Sequence, residues 1–154
     1  MTGTRWLDSD EQQTWRAFLS ASTLLFEQLD RELQRDSGMP HPYYEILVRL
    51  SEAEGRSLRM SDLARNSLSS RSRLSHAVAR LEERGLVHRE SCPTDRRGSI
   101  AVLTDRGFAA LEAAAPKHVE GVRTHLFDQL TKTQQRELRA ACLAVTEHFA
   151  GTDR

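Results

Sequence analysis

Residues 69–80, SSRSRLSHAVAR, decide the fold of this chain of 154 residues. Leu74, Ala77, Val78 and Leu81 recur at intervals of three and four, which places them on one face of an α-helix. The opposite face carries hydroxyls and cations without a carboxylate, and such groups bind base edges and phosphates. An arginine-rich solvated face is the alternative. The pattern predicts a helix in the major groove of DNA, with candidate contacts Ser69, Ser70, Arg71, Ser72, Arg73, Ser75, His76 and Arg80.

Length and composition fit one compact domain, since 38% of the residues are hydrophobic and 29% are charged. No apolar run approaches the roughly 20 residues that span a bilayer, and the first residues lack the pattern of a secretory signal. Cys92 and Cys142 are too few and too far apart in sequence for a disulfide framework. We therefore expect a cytoplasmic protein without a membrane partner.

Charge is segregated along the chain, although the net charge is zero. Between Arg56 and Arg106 there are eleven arginines and six acids, whereas the flanks hold eleven basic and sixteen acidic residues. A basic middle can hold DNA while acidic ends keep the rest of the molecule away from it. The distribution therefore favours a nucleic-acid partner, which the net charge alone does not.

A short helix and a turn are predicted directly before the long helix. The short helix covers residues 62–66 with Ser61 as its cap, and small polar residues form a turn at 67–70. The long helix ends at Gly85. A short helix, a tight turn and a longer helix with an exposed polar face form a helix-turn-helix.

A β-hairpin is predicted directly after the long helix. Residues 86–91 and 99–103 favour strands, and CPTDRRG at 92–98 favours a turn. Beside a helix-turn-helix, such a hairpin is a wing that places arginine in the minor groove, where a narrow groove concentrates negative potential. A solvated pair of loop charges is the alternative. The charged residues of the tip are Asp95, Arg96 and Arg97.

Amphipathic helices flank the winged segment on both sides. The first is predicted over residues 10–35 with Ser9 as its N-cap and Gly38 as the residue that ends it. Its apolar residues form a seam long enough to pack against a second chain. A second helix is predicted over residues 42–52, because Pro42 is well suited to the first position of a helix.

Two more amphipathic helices are predicted after the hairpin. One covers residues 105–126 with Thr104 as its cap, and Pro116 should kink or interrupt it. The other follows a capping box at residues 131–134 and ends near Phe149. Together with the first helix, they can form an α-helical dimer interface.

The order of these parts resembles the winged helix-turn-helix of the multiple-antibiotic-resistance regulator (MarR) family. The family pattern has Leu-Ala at 63–64, Leu-Glu-x-x-Gly-Leu at 81–86 and Asp-x-Arg at 95–97, followed by Leu-Thr at 103–104 and Gly107. The resemblance is close over residues 43–111. Outside them, the helices match in position and character more than in motif.

This resemblance implies a mainly α fold with a small β-hairpin wing, in a single MarR-like domain over residues 1–154. Residues 42–104 are then the DNA-binding lobe, and residues 8–37 and 105–150 are the helical dimerisation region. The resemblance implies a homodimeric transcriptional regulator, usually a repressor, on pseudo-palindromic double-stranded DNA with half-sites roughly 34 Å apart. It places Arg97 as the arginine in the minor groove and Asp95 as the acid that holds it.

Many members of the family respond to aromatic acids or to cysteine oxidation, so a small-molecule effector is a further expected partner. Cys92 at the base of the wing is the candidate for oxidation, if Arg89 or Arg96 lowers its pKa. Cys142 is expected to be a buried small hydrophobe. The aromatic candidates for a ligand pocket, with core packing as their alternative, are Trp15, Phe18, Tyr43 and Tyr44.

An enzyme and an interaction protein are the alternative functions. The histidines and cysteines are scattered, and no HExxH, CxxC, GxSxG or phosphate-binding glycine loop occurs in the sequence. We therefore expect neither catalysis nor a cofactor or metal. A winged-helix interaction protein that does not bind DNA is the third possibility, and the basic middle of the chain counts against it.

Overall fold

A computed structural model of the protein describes residues 3–65, 70–95 and 98–152. Most of these residues are helical, and one small sheet accompanies the helices, as the sequence predicts. No helix in these ranges is both long and apolar enough to cross a membrane. The helices are α1 (Ser9–Ser37), α2 (His41–Glu52), α3 (Met60–Arg65), α4 (Arg71–Glu83), α5 (Asp105–His125) and α6 (Lys132–Thr152), and the strands are β1 (Ser57–Arg59), β2 (Val87–Ser91) and β3 (Ser99–Leu103).

The three strands form an antiparallel sheet in the order β1-β3-β2. β2 and β3 form the predicted hairpin, with Val87 opposite Leu103 and Ser91 opposite Ser99. β1 pairs with the other edge of β3. From the sequence, residues 58–60 are predicted to be a short extended piece, and no partner strand is predicted because three residues carry too little periodicity to identify one.

The hydrophobic core lies where α2, α3 and α4 meet the sheet. Leu47 of α2, Leu63 of α3 and both Val78 and Leu81 of α4 have no exposed surface. Burial of each such side chain contributes about 1.5–3 kcal/mol, so the apolar face of α4 can turn only inward. Its polar face therefore points to solvent, as predicted.

The chain divides into two compact units, one ending at His118 and the other beginning at Val119. The first contains the sheet, α1 to α4, and α5 as far as His118. The second contains the end of α5, a short 3₁₀ turn at Phe127–Gln129, and α6. The predicted capping box begins α6: the Gln134 N–H donates to Thr131 Oγ1 over 3.2 Å, and the Thr131 N–H donates to Gln134 Oε1 over 2.9 Å.

The N-cap of α1 is Asp8, so the prediction that Ser9 caps this helix is wrong. The Glu11 N–H donates to Asp8 Oδ1 over 2.8 Å, and the Asp8 N–H donates to Glu11 Oε2 over 2.9 Å. This reciprocal pair satisfies two N–H groups at the start of the helix. Gly38 ends α1 with a φ of 63°, as predicted.

Three other helix predictions differ from the structure. α2 begins at His41, so Pro42 takes its second position. α3 begins at Met60, directly after β1, so Ser61 lies inside its first turn instead of capping it. α5 continues through Pro116, so of the predicted kink or interruption the interruption is wrong, because the loss of one N–H donor leaves the neighbouring turns intact. Asn66, the predicted end of the short helix, and residues 67–69 of the predicted turn lie outside the described residues.

Thr104 ties the end of the hairpin to the loop that follows α4. Its N–H donates to Leu86 O over 3.2 Å, and its hydroxyl donates to Gly85 O over 2.7 Å. The same hydroxyl accepts the Gly107 N–H over 2.9 Å, which makes Thr104 the cap of α5, as predicted. Gly85 has a φ of 70°, in the left-handed region that favours glycine. We call these four residues the Thr104 junction.

Gly107 brings α5 against the backbone of Leu86. A Cβ atom at Gly107 would overlap the Leu86 carbonyl oxygen and lie 2.7 Å from Leu103 Cδ1. Real Cβ atoms do not approach backbone this closely, so a side chain here would push α5 away from the loop.

We predict that Gly107→Ala lowers the free energy of unfolding by about 3 kcal/mol, because the added methyl group forces the backbone apart. Urea denaturation followed by circular dichroism measures this loss. Gly3→Ala is the matched control, since a Cβ atom there meets nothing within 4 Å. Equal midpoints for Gly107→Ala and the wild-type protein would contradict the close approach.

Candidate nucleic-acid interface

α4 presents its polar face to solvent from its first residue. Its N-cap is Ser70, whose Oγ accepts the Arg73 N–H over 3.3 Å. The helix therefore begins at Arg71, directly after Ser70, the last residue of the predicted turn. Ser69 lies outside the described residues. The predicted contact residues of the helix itself are exposed, namely Arg71, Ser72, Arg73, Ser75, His76 and Arg80.

Positive charge is available mainly in the N-terminal half of α4. Among the described residues, no carboxylate lies within ion-pair distance of Arg71 or Arg73, and the first turn has no acid. Arg80 differs, because its Nη1 lies 2.9 Å from Glu83 Oε2, and this hydrogen bond raises the pKa of Arg80. A helix N-terminus itself favours negative ligands, so the charges of the first two turns of α4 are suited to an anion.

The turn of the hairpin is closed by backbone hydrogen bonds. The Cys92 N–H donates to Gly98 O, and the Gly98 N–H donates to Asp95 O, both over 3.0 Å. Asp95 is exposed in this turn. Arg96 and Arg97 lie outside the described residues, so their role in the minor groove stays a prediction.

A groove of about 350 Å³ separates α4 from the base of the hairpin. Its lining includes three arginines from three elements, Arg59 of β1, Arg71 of α4 and Arg89 of β2. Asp95 is the one carboxylate among its lining residues, all of which are described. We call this site the basic groove. The sequence pointed to the basic middle of the chain but did not single out Arg59, whose neighbours in the groove come from distant positions.

Cys92 lies in the wall of the basic groove and is 6% exposed. Its Sγ is 3.4 Å from Thr94 Oγ1, and this hydrogen bond, with a smaller contribution from the charge of Arg59, lowers the pKa of the thiol. The prediction named Arg89 or Arg96 as the cause. Arg89 is instead paired with Glu82 over 3.0 Å.

Cys142 is exposed on α6, so the prediction that it is buried is wrong for the single chain. It shares the apolar face of α6 with Leu138, Val145 and Phe149, which are 39%, 58% and 65% exposed. Helical periodicity places these residues on one face, but no surface of the described chain covers it.

The four aromatic candidates do not form one pocket. Trp15 and Phe18 stack on each other at 6.1 Å on α1 and are more than half exposed. Tyr44 is buried with its ring 4.4 Å from that of His118, and Tyr43 is half-buried on α2. Packing of Tyr44 in the core is the alternative that the sequence left open.

A cleft of about 180 Å³ instead lies between the C-terminal part of α1 and α5. Leu29 and Leu33 form its apolar wall, and Asp36, Lys117 and His118 add polar groups. The Nδ1 atom of His118 is buried without a hydrogen-bond partner among the described residues. We call this site the α1–α5 cleft. Sequence analysis missed it because its two walls are about eighty residues apart in the chain.

A short helix and a longer polar helix, followed by a hairpin within a small sheet, define a winged helix-turn-helix protein. A family model described as the MarR family matches residues 37–98. The transcriptional regulator HosA of Escherichia coli O111:H- is 31% identical over 93 residues, which cover 60% of this chain and 67% of HosA.

Two solved structures from Streptomyces coelicolor are similar over almost the whole chain. Sco3205, a MarR family transcriptional regulator in complex with DNA, is 52% identical with a TM-score of 0.89, covering 94% of this chain and 91% of that one. AbsC, also a MarR family transcriptional regulator, is 47% identical with a TM-score of 0.88, covering 96% of this chain and 99% of that one. The chain belongs to the MarR family of transcriptional regulators, and its relatives are not enzymes.

The environment of His118 should make stability depend on pH. Burial and, to a lesser extent, the nearby His41 lower the pKa of His118, and Glu45 and Glu32 oppose this shift. The unfolded chain therefore binds the proton first as the pH falls below about 6.5. The free energy of unfolding must then decrease until the pH reaches the folded-state pKa of His118.

We predict that His118→Gln reduces the loss of melting temperature between pH 7.5 and about pH 5.5. The substitution removes an imidazole that the unfolded chain protonates more readily than the folded chain does. Differential scanning fluorimetry at both pH values measures the loss. His76→Gln is the control, since His76 is exposed on α4. A loss for His118→Gln equal to that of the wild-type protein would show that the cleft does not destabilise the imidazolium form.

Proposed function

We propose that this protein binds double-stranded DNA sequence-specifically as a homodimer and represses transcription until a small ligand releases it. The observation that carries DNA binding is the first half of α4. Its apolar side is buried in the core. Its outer side presents Arg71 and Arg73, which have no acidic partner among the described residues. The similar structure of Sco3205, solved in complex with DNA, supports DNA binding by this chain.

In this proposal, α4 lies in the major groove of a pseudo-palindromic operator. His76 contacts base edges, and Arg73 contacts a base edge or a phosphate. Ser70 and Arg71 contact the backbone at the start of the helix. The hairpin brings Asp95, Arg96 and Arg97 to the neighbouring minor groove. Residues 42–104 form the DNA-binding lobe. Because the proposed target is chromosomal DNA, we expect the protein in the cytoplasm.

Exposed apolar side chains support a homodimer. On α1, Trp15, Phe18 and Leu19 are 52%, 55% and 42% exposed, and the apolar face of α6 is exposed as described above. Contiguous apolar surface of this kind is typical of protein interfaces. A second copy of the chain covers both surfaces in our proposal, and residues 8–37 and 105–150 form the dimerisation region.

The α1–α5 cleft supports the proposed effector better than the exposed pair of Trp15 and Phe18 does. It combines an apolar wall with polar groups, and His118 Nδ1, which has no hydrogen-bond partner among the described residues, can bond to a ligand. A ligand that binds only the folded protein raises its melting temperature, which makes candidate aromatic acids detectable.

Oxidation of Cys92 is the second candidate for regulation. The hydrogen bond from Thr94 lowers the pKa of the thiol and so favours the thiolate that oxidants attack. The small exposed fraction of Cys92 favours the ligand over the oxidant as the releasing signal.

We predict that Arg73→Ala weakens binding of an operator, selected from a random duplex library, by about tenfold to a hundredfold, because Arg73 contacts a base or a phosphate. Fluorescence anisotropy over a range of salt concentrations measures affinity and salt dependence. Arg123→Ala is the control, since Arg123 lies in the second unit at 3.9 Å from Asp128. Binding that is absent, or independent of salt, would favour the interaction protein that does not bind DNA.

We predict that Val145→Asp shifts the protein from a dimer to a 17.5 kDa monomer, because it places a charge on the apolar face of α6. Light scattering coupled to size-exclusion chromatography measures the mass. Ala140→Asp adds the same charge to the exposed opposite side of α6 and should leave the dimer intact. A dimer that survives Val145→Asp would exclude this face from the interface.

A further inference from the structure

The basic groove has cations on two sides and few acids to neutralise them. Arg59 lies at the end of β1, and Arg71 is the first residue of α4. Ser75 also lines the groove and belongs to the exposed face of α4 that we assign to DNA. The groove is therefore continuous with the proposed DNA surface.

The arginines of the groove differ in how far their charge is compensated. Arg89 is held by Glu82, which accepts both its Nε–H and its backbone N–H over 3.0 Å. Arg59 donates to the uncharged hydroxyl of Thr94 over 2.8 Å. No described carboxylate lies within ion-pair distance of Arg59 or Arg71. These two guanidinium groups are therefore available to an anion.

The position of the groove indicates which anion it meets. A helix in the major groove and a wing in the adjacent minor groove lie on either side of one sugar–phosphate strand. That strand must pass between α4 and the hairpin, which is where the basic groove lies. A guanidinium group binds a phosphate through two parallel hydrogen bonds, so Arg59 and Arg71 match this ligand.

We propose that the basic groove binds one backbone phosphate of each half-site, with Arg59 and Arg71 as its ligands. The proposal rests on the DNA-binding function proposed above and adds Arg59, on the strand before the helix-turn-helix, to the contact surface. The bound phosphate fixes the spacing between α4 and the hairpin on the duplex. It carries no sequence information, so it contributes equally to operator and unrelated DNA.

The test pairs Arg59→Gln with operator duplexes that carry one uncharged methylphosphonate at each backbone position in turn. For the wild-type protein, we expect one position in each half-site at which neutralisation weakens binding about tenfold. For Arg59→Gln, binding of the unmodified duplex should already be weaker, and neutralisation of the same position should cause a smaller further loss than in the wild-type protein, because only Arg71 still binds that phosphate. The salt slope should fall by about one for each phosphate that the variant no longer neutralises.

Thr94→Val tests whether the charge of Arg59 or its hydrogen bond to Thr94 matters for DNA binding. The variant removes the hydrogen-bond partner of Arg59 and keeps the charge of Arg59. We expect this variant to keep the wild-type salt slope and the sensitive position. Arg136→Gln, an equal change of charge in the second unit, should also behave like the wild-type protein. Equal sensitivity of Arg59→Gln and the wild-type protein at every position would overturn the phosphate site, as would a Thr94→Val variant that reproduces Arg59→Gln. A wild-type protein that binds no duplex would instead overturn the proposed function.

Discussion

The hydroxyl of Thr104 holds together the parts of the molecule on which the rest depends. It donates to the carbonyl of Gly85 and accepts the N–H of Gly107, so the loop after α4 and the start of α5 meet at one side chain. The backbone N–H of Thr104 adds a bond to Leu86. Gly107 permits this arrangement because a side chain there would overlap the Leu86 carbonyl. The family motif in the sequence therefore includes the four residues of the Thr104 junction. Its glycine at position 107 has a steric reason, because a side chain there would collide with the Leu86 carbonyl.

The junction and the core together orient the DNA-facing surface. Buried residues on one side of α4 direct its arginines outward, and the junction sets where the hairpin leaves the end of that helix. The basic groove is the space that these two constraints leave between helix and hairpin. The positive charge of the groove is local, because the net charge of the whole chain is zero. All three arginines of the groove come from the basic middle of the sequence, and Asp95 is the one carboxylate that lines it.

Features that depend on local pattern were predictable from the sequence. The face of α4 follows from four apolar residues at helical spacing, and the hairpin follows from two strands around a turn. Features that depend on distant neighbours were not. The position of Arg59 in the groove depends on its hydrogen bond to Thr94, thirty-five positions later in the chain. The burial of His118 depends on its packing against Tyr44. The exposure of Cys142 was missed because helical periodicity shows which residues share a face but not which surface covers that face.

Hydrogen–deuterium exchange of the full chain, with and without its selected operator duplex, tests the central claim most directly. If the Thr104 junction presents α4 and the hairpin together to DNA, exchange slows in residues 70–80 and 87–95 on binding. Exchange in α2, whose inner side lies in the core behind α4, stays the same. Slower exchange confined to α6 or to the first turns of α1, with residues 70–80 unchanged, would contradict the account.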